Sequence, residues 1–380
     1  MSYQSIRTPL TLIEPRLRKN IDKTLLFAVL ALMALSLLTI HNATMSQGWG
    51  SVARQGFYFL VGMGLMAWAA SKDYGRVTRY APIFYWANII LLLIVLKFSP
   101  DVKGASRWIR LPIPGVDFKL QPSEFAKIIL ILTLSSYVTR LGPKLREFPS
   151  LLKTLLHVGV PMVLIAKQPD LGTSLVFLAV WTGIVFLAGA DWRHLVGLAV
   201  VGGLLFTVAW KADILHDYQK NRVLTFLDPY SDPRDKGYHV LQSQTAIGGG
   251  GATGQGLGKG IQTNGDFIPE NHTDFIFTVV GEEGGFVGAC VLLSIYGLIL
   301  WRGVATIAEC EDPMGRLVAG GITTLIAFHL VVNIGMTCGI MPVVGVPLPL
   351  MSFGGSAAMA NLIGIGLLLS IHMRRHKISF

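Results

Sequence analysis

Ten apolar stretches, most of them close to twenty residues long, decide what this 380-residue chain can fold into. A membrane-crossing helix needs about 20 largely apolar residues. Windows of that kind run from Thr24 to Ala43, Phe57 to Ala70, Tyr80 to Leu96, Pro122 to Leu141, Leu151 to Ala166, Gly172 to Ala190, Leu195 to Trp210, Asp274 to Trp301, Leu317 to Gly339 and Ser356 to Met373. The fifth is short and carries Pro161. The expected fold is an all-α polytopic membrane protein of about ten transmembrane helices in one integral domain, 1–380. Composition agrees: 52% of residues are AVILMFWYC and 14% are charged, against roughly 45–50% and 25% in soluble domains. The 42 glycines show no collagen period and suit helices that approach closely.

The net charge of +10 would suggest nucleic acid as partner in a soluble protein; here its location matters first. Lys and Arg in short loops mark the cytoplasmic side. The arm 1–23 carries Arg7, Arg16, Arg18, Lys19 and Lys23, and the tail 374–380 carries Arg374, Arg375 and Lys377. Both ends are therefore expected inside, together with the loops bearing Lys72, Arg76 and Arg79; Arg140, Lys144, Arg146 and Lys153; Arg193; and Arg302 and Arg316. Divided this way, the whole excess lies inside, facing anionic headgroups, and the outer share is balanced. Nucleic acid drops out as a partner. The arm lacks a signal-cleavage pattern, so the first span reads as a retained helix. Cys290, Cys310 and Cys338 have no paired spacing, which argues against a disulfide framework or zinc site.

Three outer segments are more than connectors: Ser99–Gln121, the large loop 211–273, and Ile340–Gly355. The longest is too short for a nucleotide-binding α/β domain of about 100 residues, so a soluble nucleotide is not the expected donor. The stretch Gly248–Gly260, GGGGATGQGLGKG, holds a formal G-x-G-x-x-G, but no strand precedes it and it fails as a P-loop. Tightly turning backbone is the expectation. Asn42 and Asn271 begin chance sequons. Ile340–Ser356, IMPVVGVPLPLMSFGGS, has three prolines and no charge. It cannot be a regular helix, and at membrane depth it must be buried in protein or face water, as a re-entrant hairpin lining a cleft would.

Carboxylates at membrane depth cost several kcal/mol unless paired or hydrated, so they default to function. In PENHTDFIFTVVGEEGG, Asp274 sits at the mouth of the eighth span with Glu282 and Glu283 inside it. On one continuous helix Glu282 would lie about 80° round from Asp274 and about 12 Å deeper, so both could line one cavity. Asp274 could equally cap the helix. Arg107 and Arg110 flank Trp108, Lys119, Glu124 and Lys127 lie in KLQPSEFAK, and Asp170 lies in KQPDLGTS. Glu124 and Lys127 are i,i+3 neighbours that can pair for stability, or belong to a polar cleft whose cations grip a phosphate.

These segments carry a resemblance. GIMPVVGVPLPLMSFGGS after Asn333, ENHTDFIF, AKQPDLGTS, LQPSEFAK and the stretch Asp217–Gly248 are similar to the SEDS family of bacterial cell-wall proteins, nearer its elongation than its division members. Phe353 and Gly249 depart from the family's usual Tyr and Ser. The resemblance implies a peptidoglycan glycosyltransferase that polymerises lipid II on the outer face of the bacterial cytoplasmic membrane during elongation. The family's essential aspartate falls on Asp274, the implied general base. It would deprotonate the acceptor 4-hydroxyl, which attacks C1 of the donor with inversion, and undecaprenyl diphosphate leaves. One carboxylate suffices because a diphosphate is a good leaving group, unlike the alcohols of glycosidases. Arg107, Lys119 and Lys127 are candidates to stabilise it. Glu124, Asp170, His272, Thr273, Glu282, Ser352 and Ser356 complete the substrate-binding candidates. No metal cluster is demanded, although a divalent cation, Mg or Mn, could share the charge. A class B penicillin-binding protein transpeptidase, other elongation-complex proteins and membrane lipids are the implied partners. A lipid II flippase and a non-enzymatic scaffold are the competing classes; against the flippase, no internal repeat is present.

Overall fold

The computed structural model describes residues 19–45, 48–98, 107–113, 116–231, 236–265, 267–268 and 271–376. Arg7, Arg16, Arg18, the first part of Ser99–Gln121, and Lys377 lie outside them. Each of the ten apolar windows falls on a helix: α1 (Lys23–Ala43), α2 (Gly50–Ser71), α4 (Ala81–Phe98), α5 (Pro122–Leu141), α6 (Phe148–Ala166), α7 (Leu171–Leu187), α8 (Trp192–Lys211), α12 (Ile276–Glu309), α13 (Pro313–Thr337) and α14 (Gly355–Met373). The short α3 (Tyr74–Arg79) joins α2 to α4. Eight of the described helices, all of these except α2, α3 and α7, are long and apolar enough to cross a membrane. Helix α7 has 17 residues; α2 has 22 but carries Arg54 and Gln55. Pro161 sits inside α6 without ending it.

The described parts of Ser99–Gln121, 211–273 and Ile340–Gly355 are structured. Ile109–Ile113 (β1) and Val116–Leu120 (β2) pair antiparallel, Ile109 opposite Leu120, a hairpin that apolar windows could not announce. The loop 211–273 is largely helical, with α9 (Asp217–Leu227), α10 (Lys236–Gly250) and the single turn α11 (Ile261–Asn264). Ile340–Gly354 is irregular as expected, and Val344, Val346, Leu348, Leu350 and Met351 within it are buried. Backbone of that kind at depth needs partners for its polar groups. Side chains from surrounding helices supply them: Ser36 donates to the Met351 carbonyl at 2.8 Å, Tyr296 to that of Pro349 at 2.6 Å, and Asn333 to that of Val346 at 2.8 Å.

The eighth window corrects the expectation of one continuous helix. Helix α12 is broken at Gly285, whose φ of 60° and ψ of −157° interrupt the ladder. The glycine-rich loop after α10 is spliced into the break. Gln255 and Gly256 donate to the carbonyls of Glu282 and Glu283 at 3.0 and 3.1 Å, while Phe286 and Val287 donate to those of Gly251 and Ala252 at 2.9 and 3.0 Å. Gly251, Gly254, Gly256 and Gly258 all have positive φ there, the use of glycine that the stretch suggested.

Candidate active site

A cavity of about 860 Å³ opens among the ends of these helices. Asp274, in the turn just before α12, reaches it together with Thr273. The N-cap of α12 is Phe275 rather than Asp274. Asn333 on α13 donates to the backbone carbonyl of Asp274 at 2.8 Å with the same amide that holds Val346, so one side chain locks the acid's backbone to the irregular segment. Gly345 of that segment has φ of 72°, and a Cβ there would stand 3.3 Å from Asp274 Oδ2. Replacing Asn333 by Ala would strip the buried Val346 carbonyl and the partly buried Asp274 carbonyl of this donor, at up to about 1–3 kcal/mol each. The expected result is a lower unfolding temperature in detergent, together with lost activity, measured on the purified variant.

Cations surround the acid. Arg54 from α2, Arg107, Lys119 at the end of β2, Lys127 from α5 and Arg222 from α9 all line the cavity. Asp170 is the N-cap of α7, accepting from Thr173 N at 3.1 Å, and its other oxygen lies 3.9 Å from Arg107 Nη1. Arg107 also donates to the Gln168 carbonyl at 2.9 Å and to that of Pro169. Lys127 donates to Glu124 at 2.9 Å, the expected i,i+3 pair, and both are almost fully buried. Ser356 accepts from Gln121 N at 2.9 Å and donates to the Lys119 carbonyl at 3.2 Å, tying the hairpin to the start of α14. Burial lowers the Arg222 pKa from its ordinary value and Arg107 repels in the same direction; Asp170, Tyr218 and Asp274 oppose them. Arg222 thus shares one electrostatic field with the acid.

Arg107, Lys119, Glu124, Lys127, Asp170, Thr273, Asp274 and Ser356 are thus brought together. Three candidates stand elsewhere. Glu282 is fully buried behind the wall, where its carboxylate accepts from Gln262 N at 2.7 Å, Thr263 N at 2.9 Å and Thr263 Oγ1 at 2.6 Å. The angular reckoning from Asp274 fails because Asp274 precedes the helix. Ser352 donates to the Thr273 carbonyl at 2.6 Å and accepts from Leu348 N at 2.9 Å, fixing the segment against the residue before the acid. The His272 ring packs on Phe353, centroids 5.5 Å apart, outside the lining. Glu283 accepts from Asn42 at 2.5 Å, so that asparagine has a structural use. Sequence reasoning missed Arg54, Arg222, His239 and His329, which also line the cavity. Arg222 lay in the Asp217–Gly248 stretch, and His329 sits one helical turn before Asn333; either could have been flagged on that ground. Among the described residues no three of His, Cys, Asp and Glu cluster to hold a metal.

Residues 21–377 match the family model described as cell cycle protein, FtsW/RodA/SpoVE. The chain is 41% identical over 364 residues to the peptidoglycan glycosyltransferase MrdB of Escherichia coli K12, covering 95% of each. It is 35% identical over 366 residues to a probable peptidoglycan glycosyltransferase FtsW of Geobacter metallireducens, covering 93% of this chain and 95% of the relative. Its fold is similar to a chain of a solved peptidoglycan synthase complex that coordinates polymerization and crosslinking, with TM-score 0.82, 35% identity and coverage of 94% and 99%. It is also similar to the rod shape determining protein RodA of Thermus thermophilus, with TM-score 0.70, 31% identity and coverage of 94% and 98%.

Proposed function

From the chain's membership of the FtsW/RodA/SpoVE family, in which it acts as a peptidoglycan glycosyltransferase, we infer that the cavity polymerises lipid II and that Asp274 is its general base. The observation that carries this reading is a cavity in which Asp274 shares the lining with five cations, Arg54, Arg107, Lys119, Lys127 and Arg222, while the two other lining carboxylates, Asp170 and Glu124, lie against Arg107 and Lys127. An acid of that kind takes the proton from the acceptor sugar's 4-hydroxyl, and the oxygen attacks C1 of the donor. The C1–O bond to diphosphate breaks on the opposite face, so an α-linked donor yields a β-linked product. Cations fixed beforehand where negative charge develops stabilise the departing undecaprenyl diphosphate. A bulky lipid-linked donor is held at the cavity while its tail stays in the bilayer.

The cations at the far end of the bundle, such as Arg76, Arg302 and Arg374, support a cytoplasmic placement of both termini and an outward-facing cavity. A divalent cation is not assigned a step, because Asp170 and Glu124 already answer Arg107 and Lys127. The partner proposed is a class B penicillin-binding protein, in keeping with the similarity to a complex that couples polymerization to crosslinking. The deciding assay incubates the purified chain with labelled lipid II and no other glycosyltransferase. Glycan ladders on a gel are expected. Lipid translocation without polymer would favour a flippase, and neither product a scaffold.

A further inference from the structure

His329 is almost fully buried on α13, lines the cavity and has no part in the chemistry above. Its Nδ1 lies 2.9 Å from the Pro347 carbonyl and its Nε2 lies 3.3 Å from Lys127 Nζ. A carbonyl can only accept, and an ammonium can only donate. Both contacts are therefore satisfied by one form of the ring, neutral with its hydrogen on Nδ1. In that form Nε2 accepts from Lys127 while Glu124 accepts another of its protons at 2.9 Å. Two acceptors on two different helices, the Glu124 carboxylate and His329 Nε2, fix the ammonium at the cavity lining. Without Nε2, Glu124 alone would direct the ammonium, from its own helix and toward a closed ion pair.

We propose that His329 is a positioning residue that aims Lys127 at the phosphate of the lipid-linked substrate and ties that aim to the irregular wall through Pro347. The proposal rests on the lipid diphosphate reading of the cavity. It separates two features of the ring that conservative variants can divide. In His329→Asn the amide nitrogen takes the place of Nδ1 and keeps the bond to Pro347, but no acceptor reaches Lys127. In His329→Gln the amide oxygen takes the place of Nε2 and keeps Lys127 aimed.

The test uses the full chain in lipid nanodiscs, with undecaprenyl diphosphate binding and lipid II polymerisation as separate readouts. Losing a hydrogen bond to a charged group at a binding site corresponds to about tenfold or more in affinity. His329→Asn is expected to weaken undecaprenyl diphosphate binding and lower kcat/KM for lipid II about tenfold. His329→Gln is expected to stay within about threefold on both. Lys127→Ala should weaken binding by itself, and adding His329→Asn to it should cost nothing more, because the histidine then has no ammonium to aim. Multiplying losses in the double variant, a His329→Asn variant that binds normally, or a His329→Gln variant as defective as His329→Asn would each overturn the proposal. If His329→Asn does not elute as a folded protein, His329→Gln decides alone: a tenfold loss of binding sinks the idea. The binding readout does not require the base, so active Asp274→Asn would defeat the catalytic reading while leaving this one standing.

Discussion

Replacing Asp274 by Asn is expected to abolish glycan polymerisation, by at least about a hundredfold in turnover as for a lost general base, in a protein that elutes and unfolds like the parent. The substitution conserves shape. The bond that fixes the backbone here runs from Asn333 to the residue 274 carbonyl and survives the change. What is removed is the carboxylate's charge and with it the ability to accept a proton. The comparison is made at equal protein concentration with purified lipid II, reading chain growth on a gel and unfolding in detergent side by side. Normal chain growth by the variant would remove Asp274 from its assigned role. A loss of activity accompanied by early unfolding would mean that the carboxylate is structural.

The second large effect concerns the splice between the glycine-rich loop and α12. Gly285→Ala should destabilise the protein by about 2–6 kcal/mol, summing about 1–3 for a backbone conformation open essentially to glycine alone and about 1–3 for overpacking. Its Cβ would collide with the Gly254 backbone nitrogen and crowd Ala252. Gly284→Ala is the matched control, since a Cβ there meets nothing within 4 Å. Thermal unfolding of the two variants in the same detergent checks the difference. Equal behaviour would mean that the break in α12 tolerates side chains and does not depend on this glycine.

These two positions also show what could be read in the chain before its fold was known. Hydrophobic windows locate helices because burying or wetting a run of twenty residues is a large, local term, and each window falls on a helix. The irregular proline segment was legible for the same reason: prolines forbid the ladder whatever surrounds them. Asp274 was legible as a carboxylate near membrane depth. Glu282 carried the same signal and proved to serve the turn at α11, because which face a side chain presents depends on where a helix starts and breaks. That in turn depends on a loop some thirty residues away that fills the break at Gly285. His329 and Arg222 lay close to segments already singled out, but their use follows from contacts with the irregular segment, which His329 reaches at the Pro347 carbonyl and Arg222 at that of Val344.

The order in which those contacts close bears on synthesis. Helix α14 packs along α2, where Gly62 faces Leu362, Gly355 faces Tyr58 and Gly366 faces the Met66 carbonyl. At their far end Arg374 donates to the Ser71 carbonyl at 3.0 Å. One wall of the cavity, from Gly354 to Ala357, is thus the last to be made and must dock on one of the first. The described segments that precede α14 already carry Asp274 and the lining cations, but without α14 no chamber holds them. A chain from which α14 is deleted is expected to lack that wall, and with it the chamber around Asp274.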